Sequence, residues 1–489
     1  MKLTGYTDRW SVQRGETLRV FVSCASSRFD VQLVRLIHGD ENPRGPGFKS
    51  TPVPSPVEGS YPGESQAIQT GSYVLIDSRG EALGAEGFTV VLWLQATAPH
   101  QGEQGIVTQW DVERRRGFGL FIDGKGNLSG RAALTSGEVC SVTSRRTLRP
   151  QAWYQVALAY DPKHGNLTLL TQDMHPTVFD PPAEAVVAHL DSPVAWASDR
   201  PLLLAAGGLV SSDAGRTHAT GCFNGKLSAP GVLARPLTAA ELPGLSTGQL
   251  PVDGWLARWD LSHDPARRRI PDTSGHGYHG RTVNRPTRAV TGHNWTARTD
   301  SFREAPEQYN AIHFHDDDLE DAGWKESLRL VVPQELRSGV YALRLSTADG
   351  ECDYLPFFVR TPTGKPDAAI AVLMPTVSYL AYSNEALDLE PFEFLAPLCP
   401  LRNMGLQAQA YEYIERLWLK STYNHHRDGS GICHVTMLRP SLTSMRPTHR
   451  ARLYDGPHQL SADLHLIDWL EEKQIPYDVI CDHDLHREG

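Results

Sequence analysis

The pattern of apolar and polar residues changes once along the chain, near residues 362–366. Before this point apolar residues alternate with polar ones in short runs, such as LRVFVS (18–23) and DVQLVRLIHG (30–39), and Gly, Asp and Asn turns separate the runs. Alternation gives a strand one side for a core and one for solvent, so this part is predicted to be β-structure. The regular spacing of the runs in residues 71–287 predicts a sandwich of two sheets.

Beyond residue 366 the pattern predicts α/β structure. AAIAVLMP (368–375) is a continuous apolar run, which is typical of a parallel strand buried on both faces, and PYDVICD (476–482) is the next such strand. Between them, SADLHLIDWLEEKQ repeats apolar residues at helical spacing behind Ser461, the predicted N-cap, and DHDLHREG should begin another helix. Because two parallel strands do not make a covered sheet, either the rest of the sheet lies on another chain or this chain is truncated at its C-terminus, and truncation is favoured.

Composition and charge narrow the class of protein. The 489 residues are enough for about three domains. A net charge of −10 argues against nucleic acid or an anionic membrane as the main partner. No apolar run is long enough for a membrane-spanning helix and the N-terminus lacks a signal core, so a cytoplasmic location is predicted. The seven cysteines are scattered and include no CxxC pair, which disfavours a zinc ribbon or a disulfide framework.

Two tyrosines in similar polar loops are candidates for metal binding. Tyr382, in SYLAYSN, follows the first parallel strand, and ligands of open α/β sheets gather beyond the carboxyl ends of strands. Tyr423 lies in the glycine-bearing loop STYNHHRDGSG. A phenol has a pKa near 10 and becomes a ligand when a hard, highly charged ion displaces its proton. The pair therefore suggests a ferric site, although a packed ring is the commoner role of tyrosine.

Four other features have a simpler interpretation than the chemistry they suggest. Adjacent His425 and His426 in a loop point apart, which disfavours joint ligation of a metal. The acidic run 316–318 lacks the spacing of a calcium loop and is predicted to be a solvated turn. SGHGYHG (274–280) is predicted to be a tight turn rather than a histidine metal site. Cys433 lacks the glycine-flanked elbow of an amidotransferase nucleophile and is predicted to be a buried, inert thiol.

Three strand motifs resemble the laminin-G or concanavalin A-like sandwich. They are GFTVVLWL (87–94), WYQVALAYD (153–161) and an F-x-G-x-L strand that begins at Phe223. After them, GVYALRLS (339–346) and YLPFFVR (354–360) look like the last two strands of an immunoglobulin-like module.

Neither flank of the laminin-G-like region is long enough for a whole sandwich, so the flanks are expected to form one domain with that region inserted in it. The predicted domains are an immunoglobulin-like β-sandwich of residues 1–70 and 288–362, a laminin-G/concanavalin A-like sandwich of residues 71–287, and an α/β domain of residues 366–489.

A more specific resemblance covers almost the whole chain. IAVLMPTVSYLAYSNE (370–385), KSTYNHHRDGSG (420–431) and PYDVICDHDLHREG (476–489) are similar to the large (beta) subunit of N,N-dimethylformamidase. LTGYTDRWSVQRGETLRVFVS (3–23) and RPTRAVTGHNWT (285–296) also resemble that subunit. The resemblance implies that the α/β domain is glutamine-amidotransferase-like and incomplete. It also implies hydrolysis of dimethylformamide to formate and dimethylamine.

The resemblance further implies a mononuclear Fe(III) centre held by two tyrosinates and a glutamate. The tyrosinates fall on Tyr382 and Tyr423. The glutamate belongs to a His-Pro-Glu motif, which is expected beyond Gly489 together with the catalytic groups. The side chains nearest in sequence that could orient the phenolates by hydrogen bonds are Asn384, Asn424, His425 and His426.

The family implies a small amide as substrate, a small alpha subunit as partner and hetero-oligomers of large and small subunits. Two alternatives remain open. One is a carbohydrate- or protein-binding module built on the laminin-G-like sandwich, and the other is a non-catalytic truncated homologue. A visible tyrosinate-to-iron charge-transfer band would distinguish the hydrolase from both.

Overall fold

The computed structural model describes residues 1–81, 83–176, 183–211, 217–238, 241, 253–385, 408–451 and 456–488. The chain divides into two compact units. One contains residues 1–68 and 320–489, and the other contains residues 69–319. In the described part of the chain, no helix is long and apolar enough to cross a membrane.

The first unit contains a β-sandwich. Its strands are β1 (Leu3–Thr7), β2 (Ser11–Gln13), β3 (Thr17–Cys24), β4 (Arg28–His38), β5 (Lys49–Pro52), β6 (Gly59–Pro62), β25 (Leu328–Val331), β26 (Gly339–Ser346) and β27 (Cys352–Arg360). One sheet has the order β1-β3-β25; the other has the order β2-β27-β26-β4-β5, with β6 also paired to β4. Buried apolar side chains from both sheets, among them Leu18, Leu33 and Phe357, form the core. The alternating runs of the sequence therefore become strands, and β4 is buried on both sides, because Leu33 packs in this core and Val34 packs on the opposite side.

The same unit contains the α/β segment. Its elements are β28 (Ala371–Met374), α1 (Thr376–Ala381), α2 (Ala408–Leu417), β29 (Arg450–Ala451), β30 (Gly456–Pro457), α3 (Leu460–Glu472), β31 (Asp478–Cys481) and α4 (Asp482–Glu488). Strands β28 and β31 are parallel neighbours, as the sequence predicts. The prediction that β28 is buried on both faces is wrong, because Val372 and Met374 are buried but Leu373 is 45% exposed. The predicted N-cap is wrong. Helix α3 begins at Leu460 after Gln459, whose φ of 56° and ψ of −127° turn the chain, and Ser461 lies buried in the first turn.

Apolar contacts fix this α/β segment on the six-stranded sheet. Val34 and Phe358 of the sheet share a buried cluster with Met374 of β28 and with Leu464 and Ile467 of α3. Buried ion pairs add to these contacts, including Arg446 Nε to Asp353 Oδ1 at 2.7 Å and the Arg450–Asp40 pair. Strand β28 and helices α1 and α3 therefore rest on a packed support.

The second unit is a larger two-sheet sandwich, as predicted. Its strands are β7 (Tyr73–Ile76), β8 (Phe88–Ala96), β9 (Gln104–Asp111), β10 (Arg116–Ile122), β11 (Asn127–Ala133), β12 (Val139–Thr147), β13 (Trp153–Asp161), β14 (Asn166–Asp173), β15 (Ala183–His189), β16 (Leu202–Leu204), β17 (Gly208–Ser211), β18 (Thr217–Thr220), β19 (Gly225–Leu233), β20 (Trp255–Arg258), β21 (Arg269–Ile270), β22 (Gly280–Val283), β23 (Thr287–Val290) and β24 (Ala311–Phe314). The first sheet has the order β12-β11-β10-β9-β16-β7-β22-β21. The second has the order β15-β14-β13-β8-β19-β24-β23, with β20 also on β19, while β17 and β18 form a hairpin. A continuous apolar core includes Leu94, Phe118 and Leu158.

The inserted unit ends at residue 319, not at the predicted residue 287. Strand β24 pairs with β19, so that Phe314 lies opposite Gly225, and β23 pairs with β24. The sequence assigned this segment to the flanking domain because alternation shows that a strand exists but not which sheet it joins.

Two polar motifs of this unit form hydrogen bonds within it. The acidic run 316–318 is not a solvated turn, because Asp317 and Asp318 are buried and Asp318 Oδ2 accepts a hydrogen bond from Ser72 Oγ at 2.6 Å. Residues 274–280 form a tight turn around Asp272, whose carboxylate accepts hydrogen bonds from the backbone N–H groups of Ser274 and Tyr278.

Candidate functional site

The two tyrosines singled out in the sequence are neighbours. Their ring centroids are 4.1 Å apart and the ring planes differ by 27°. Tyr382 directly follows α1, and Tyr423 lies in the loop after α2 with 56% of its surface exposed. Two phenols from separate segments therefore meet at an accessible position.

Hydrogen bonds between the two segments hold this pair together. The backbone N–H and Oγ1 of Thr422 both donate to the carbonyl oxygen of Ala381, at 3.1 and 3.0 Å. Asn424 Oδ1 accepts hydrogen bonds from the N–H and Oγ of Ser421, which shapes the turn that presents Tyr423. The residue that precedes each tyrosine, Ala381 or Thr422, is thus hydrogen-bonded to the other segment.

Asn384 fixes the segment that carries Tyr382. It is fully buried, and its Nδ2 donates to the Pro440 carbonyl at 2.8 Å while its Oδ1 accepts from the Leu442 N–H at 2.7 Å. Its φ is 63°, a left-handed conformation that asparagine adopts more readily than most residues. The amide therefore sets the backbone around Tyr382, whose carbonyl oxygen also accepts a hydrogen bond from Thr443 Oγ1 at 3.2 Å.

The loop of Tyr423 separates its two histidines. His425 is exposed, whereas His426 is buried, in keeping with the expectation that adjacent loop residues point apart. Asp428 Oδ1 accepts hydrogen bonds from the N–H and Oγ of Ser430, which closes the turn. The prediction for Cys433 is wrong, since its thiol is exposed and the neighbouring Ile432 takes the buried position.

Sequence reasoning missed His458, which packs edge-on against Tyr382. The ring centroids are 5.2 Å apart and the planes are 77° apart. Gln459 links this histidine to α1, because its Nε2 lies 3.2 Å from His458 Nε2 and its Oε1 accepts from Ser378 Oγ at 3.1 Å. Burial lowers the pKa of His458, and the nearby Asp463 carboxylate opposes the shift. His458 lies just before helix α3, outside its periodic pattern. That helix begins without a side-chain cap, so no capping motif points to His458 either.

The chemistry of this pair fits part of a ferric centre. Phenol oxygens are hard donors that suit Fe(III), and the two rings stack with their centroids 4.1 Å apart.

Comparison with known proteins defines first the class of domain and then the family. Residues 69–171 match the family described as the concanavalin A-like lectin/glucanases superfamily, which agrees with the two-sheet sandwich of the second unit. Residues 287–489 match the family described as N,N-dimethylformamidase beta subunit-like, C-terminal. The chain belongs to the family of N,N-dimethylformamidase beta subunits, as the sequence motifs predict.

Two relatives cover the whole chain. The N,N-dimethylformamidase beta subunit of Paracoccus aminophilus is 37% identical over 512 aligned residues, and that of an Alcaligenes species is 38% identical over 510. The chain spans 66% of the length of each of these relatives. Among solved structures, a putative carbohydrate binding protein from Bacteroides ovatus aligns with 58% of this chain and 96% of its own, at 14% identity and a TM-score of 0.31.

Proposed function

We propose that this protein is an amide hydrolase that cleaves the C–N bond of small N-substituted amides, such as dimethylformamide, at a mononuclear ferric site. The observation that carries the proposal is the contact between the rings of Tyr382 and Tyr423, at 4.1 Å. The names of the two relatives support the same reaction class. On the described residues, no observation favours the alternative of a binding module.

Two residues of the chain would act as metal ligands, and the residues hydrogen-bonded around them would hold them in place. Tyr382 and Tyr423 would each lose the phenolic proton and present an anionic oxygen. A ferric ion, when bound, supplies Lewis acidity toward an amide carbonyl and toward water. Tyr423 is 56% exposed, so a small amide can reach it from solvent. Hydrolysis adds the elements of water across the C–N bond, so that dimethylformamide gives formate and dimethylamine.

We further propose that the protein assembles with a small alpha subunit, since the relatives are named beta subunits. The net charge of −10 supports a role without nucleic acid. Co-expression with a candidate alpha subunit, followed by mass measurement of the purified complex, tests this assembly; a large subunit that stays alone at micromolar concentration would contradict it.

The test of the proposed site uses the purified full-length protein. We expect about one iron per chain, a visible phenolate-to-iron band and release of dimethylamine from dimethylformamide. Tyr382→Phe and Tyr423→Phe should each abolish the band and lower the activity more than about 100-fold, because ligand loss costs more than loss of a supporting bond. Tyr413→Phe is the matched control, since its ring is buried on α2 and outside the tyrosine pair.

Two outcomes would contradict the proposal in different ways. A colourless, iron-free protein that hydrolyses the amide would overturn the ferric site. A coloured iron protein that releases no amine from small amides would overturn the reaction.

A further inference from the structure

Arg439 is a buried cation between the two segments that carry the tyrosines. Only 5% of its surface is exposed. Its Nη2 donates one hydrogen bond to the carbonyl oxygen of Ser383, at 3.2 Å, and one to the carbonyl oxygen of Lys420, at 2.8 Å. Ser383 directly follows Tyr382, and Lys420 lies in the turn that leads to Tyr423. One nitrogen atom therefore connects the main chains of both segments.

Arg439 has no acidic partner within the described residues, and its Nε makes no hydrogen bond there. Two other buried arginines of the same unit do have partners: Arg446 pairs with Asp353 and Arg450 pairs with Asp40. Burial lowers the pKa of Arg439 to about 10. An unpaired buried cation is costly, so stability alone gives a weak reason for an arginine at this position.

We propose that Arg439 is a positioning residue, which clamps the segments of Tyr382 and Tyr423 so that their phenols can bind one metal ion. The proposal deepens the proposed function and rests on it for the metal. The clamp itself consists of hydrogen bonds within the protein and does not depend on the metal. Two carbonyl oxygens from different segments share one donor group, so loss of the guanidinium releases both segments at once.

The first measurement of the clamp needs no metal. In iron-free protein, hydrogen exchange followed by mass spectrometry reports on the N–H of Thr422, which donates to the Ala381 carbonyl across the two segments. Arg439→Met removes both donors and keeps an unbranched side chain, and it should speed exchange in peptides that cover residues 420–424 at least about tenfold. Arg439→Lys keeps the charge but ends too short to reach both carbonyls, and it should speed exchange as well.

Ser444→Ala is the matched control. Ser444 is also fully buried, and its Oγ donates to the Tyr379 carbonyl at 2.6 Å, so the variant loses a buried bond to α1 without touching the link between the segments. It should unfold at a lower temperature while residues 420–424 exchange as in the wild type. Unchanged exchange in folded Arg439→Met, or equal acceleration in Ser444→Ala, would overturn the clamp.

The second measurement adds ferric ion, supplied as a nitrilotriacetate complex, and follows the phenolate-to-iron band. Arg439→Met should bind the ion about 10- to 100-fold more weakly than the wild type, whereas Ser444→Ala should keep the wild-type affinity and band position. Wild-type affinity in Arg439→Met would overturn its role toward the metal. If the wild type itself takes up no ferric ion, the proposed function fails, and hydrogen exchange still decides whether the clamp exists.

Discussion

The core of the inserted sandwich and the residues that support the tyrosine site of the first unit are both buried, but different interactions hold them. Between its two sheets the sandwich buries a continuous set of apolar side chains, such as Leu94, Phe118 and Leu158. Around Tyr382 many of the buried side chains are polar, and Asn384 and Arg439 form their hydrogen bonds with backbone atoms.

The difference follows from what each region has to achieve. The stabilisation from apolar burial scales with the buried area and does not depend on the orientation of the groups. A sandwich therefore tolerates substitutions that keep the volume of the core. Hydrogen bonds are directional and fix individual atoms, but each buried polar group that loses its partner costs free energy. The sandwich should therefore be sensitive to lost volume, and the site to lost hydrogen-bond partners.

The largest effect is expected in the sandwich core. Phe118 is 1% exposed, and its ring centroid lies 4.4 Å from that of Phe88. Phe118→Ala should lower the free energy of unfolding of the inserted unit by about 4 kcal/mol, because it removes a buried ring and leaves a cavity. Urea denaturation followed by intrinsic fluorescence measures the loss. Phe118→Leu, which retains most of the volume, should cost well under half as much; equal losses would show that the ring is not tightly packed.

The next largest effect is expected at Asn384. Asn384→Ala leaves the Pro440 carbonyl and the Leu442 N–H without their partners and places alanine in a left-handed conformation. The free energy of unfolding of the first unit should fall by about 3 kcal/mol. Asn384→Gly loses the same hydrogen bonds but accepts the conformation, so it should recover about 1 kcal/mol of that loss. If glycine recovers nothing, backbone strain plays no part.

The same contrast explains which features the sequence could predict. Strands β3 and β4 and helix α3 repeat apolar residues with a clear period, β28 and β31 are continuous apolar runs, and the structure contains all of them. Periodicity failed at β24, which joins the inserted sandwich, because the pattern of four residues carries no information on its neighbours. Local patterns thus predict elements better than they predict sheet membership.

The site was predictable only in part, because it depends on hydrogen bonds between distant segments. Tyr382 and Tyr423 came from the family motifs, and their ring contact agrees with a shared site, while their role as ligands stays a prediction. Arg439 and His458 have no local signal, since their partners lie tens of residues away. Cys433 was misplaced because a glycine-rich loop has no period that shows which residues are buried.

The two units can also be compared by how acid changes their stability, because each contains a buried histidine. Burial lowers the pKa of His293 in the sandwich to about 4 and that of His449 in the first unit to about 3. In the unfolded chain histidine titrates near 6.5, so below that pH the unfolded state takes up a proton that the folded state refuses. The stability contributed by each neutral ring is complete above about pH 6.5 and is lost as the pH falls toward the folded pKa.

The slope of the unfolding free energy should reach at most about 1.4 kcal/mol per pH unit for each group. His293→Phe should flatten the slope for the inserted unit between about pH 4 and 6.5, while its ring can still stack on Trp93, 4.1 Å away. His449→Leu should do the same for the first unit. The exposed His100→Gln is the control, and an unchanged slope in either buried variant would contradict the assignment.

The smallest effect is expected for an exposed ion pair of the sandwich. Arg131 Nη2 lies 2.6 Å from Glu103 Oε2, with side chains 22% and 53% exposed. Glu103→Gln should change the free energy of unfolding by no more than about 0.5 kcal/mol, because solvent screens the pair and Arg131 still lies over the Phe121 ring, 4.6 Å away. In about 1 M salt, where charges are screened within about 3 Å, the difference from the wild type should vanish. A loss above about 2 kcal/mol that persists in high salt would mean that directed polar contacts stabilise the sandwich as they stabilise the tyrosine site.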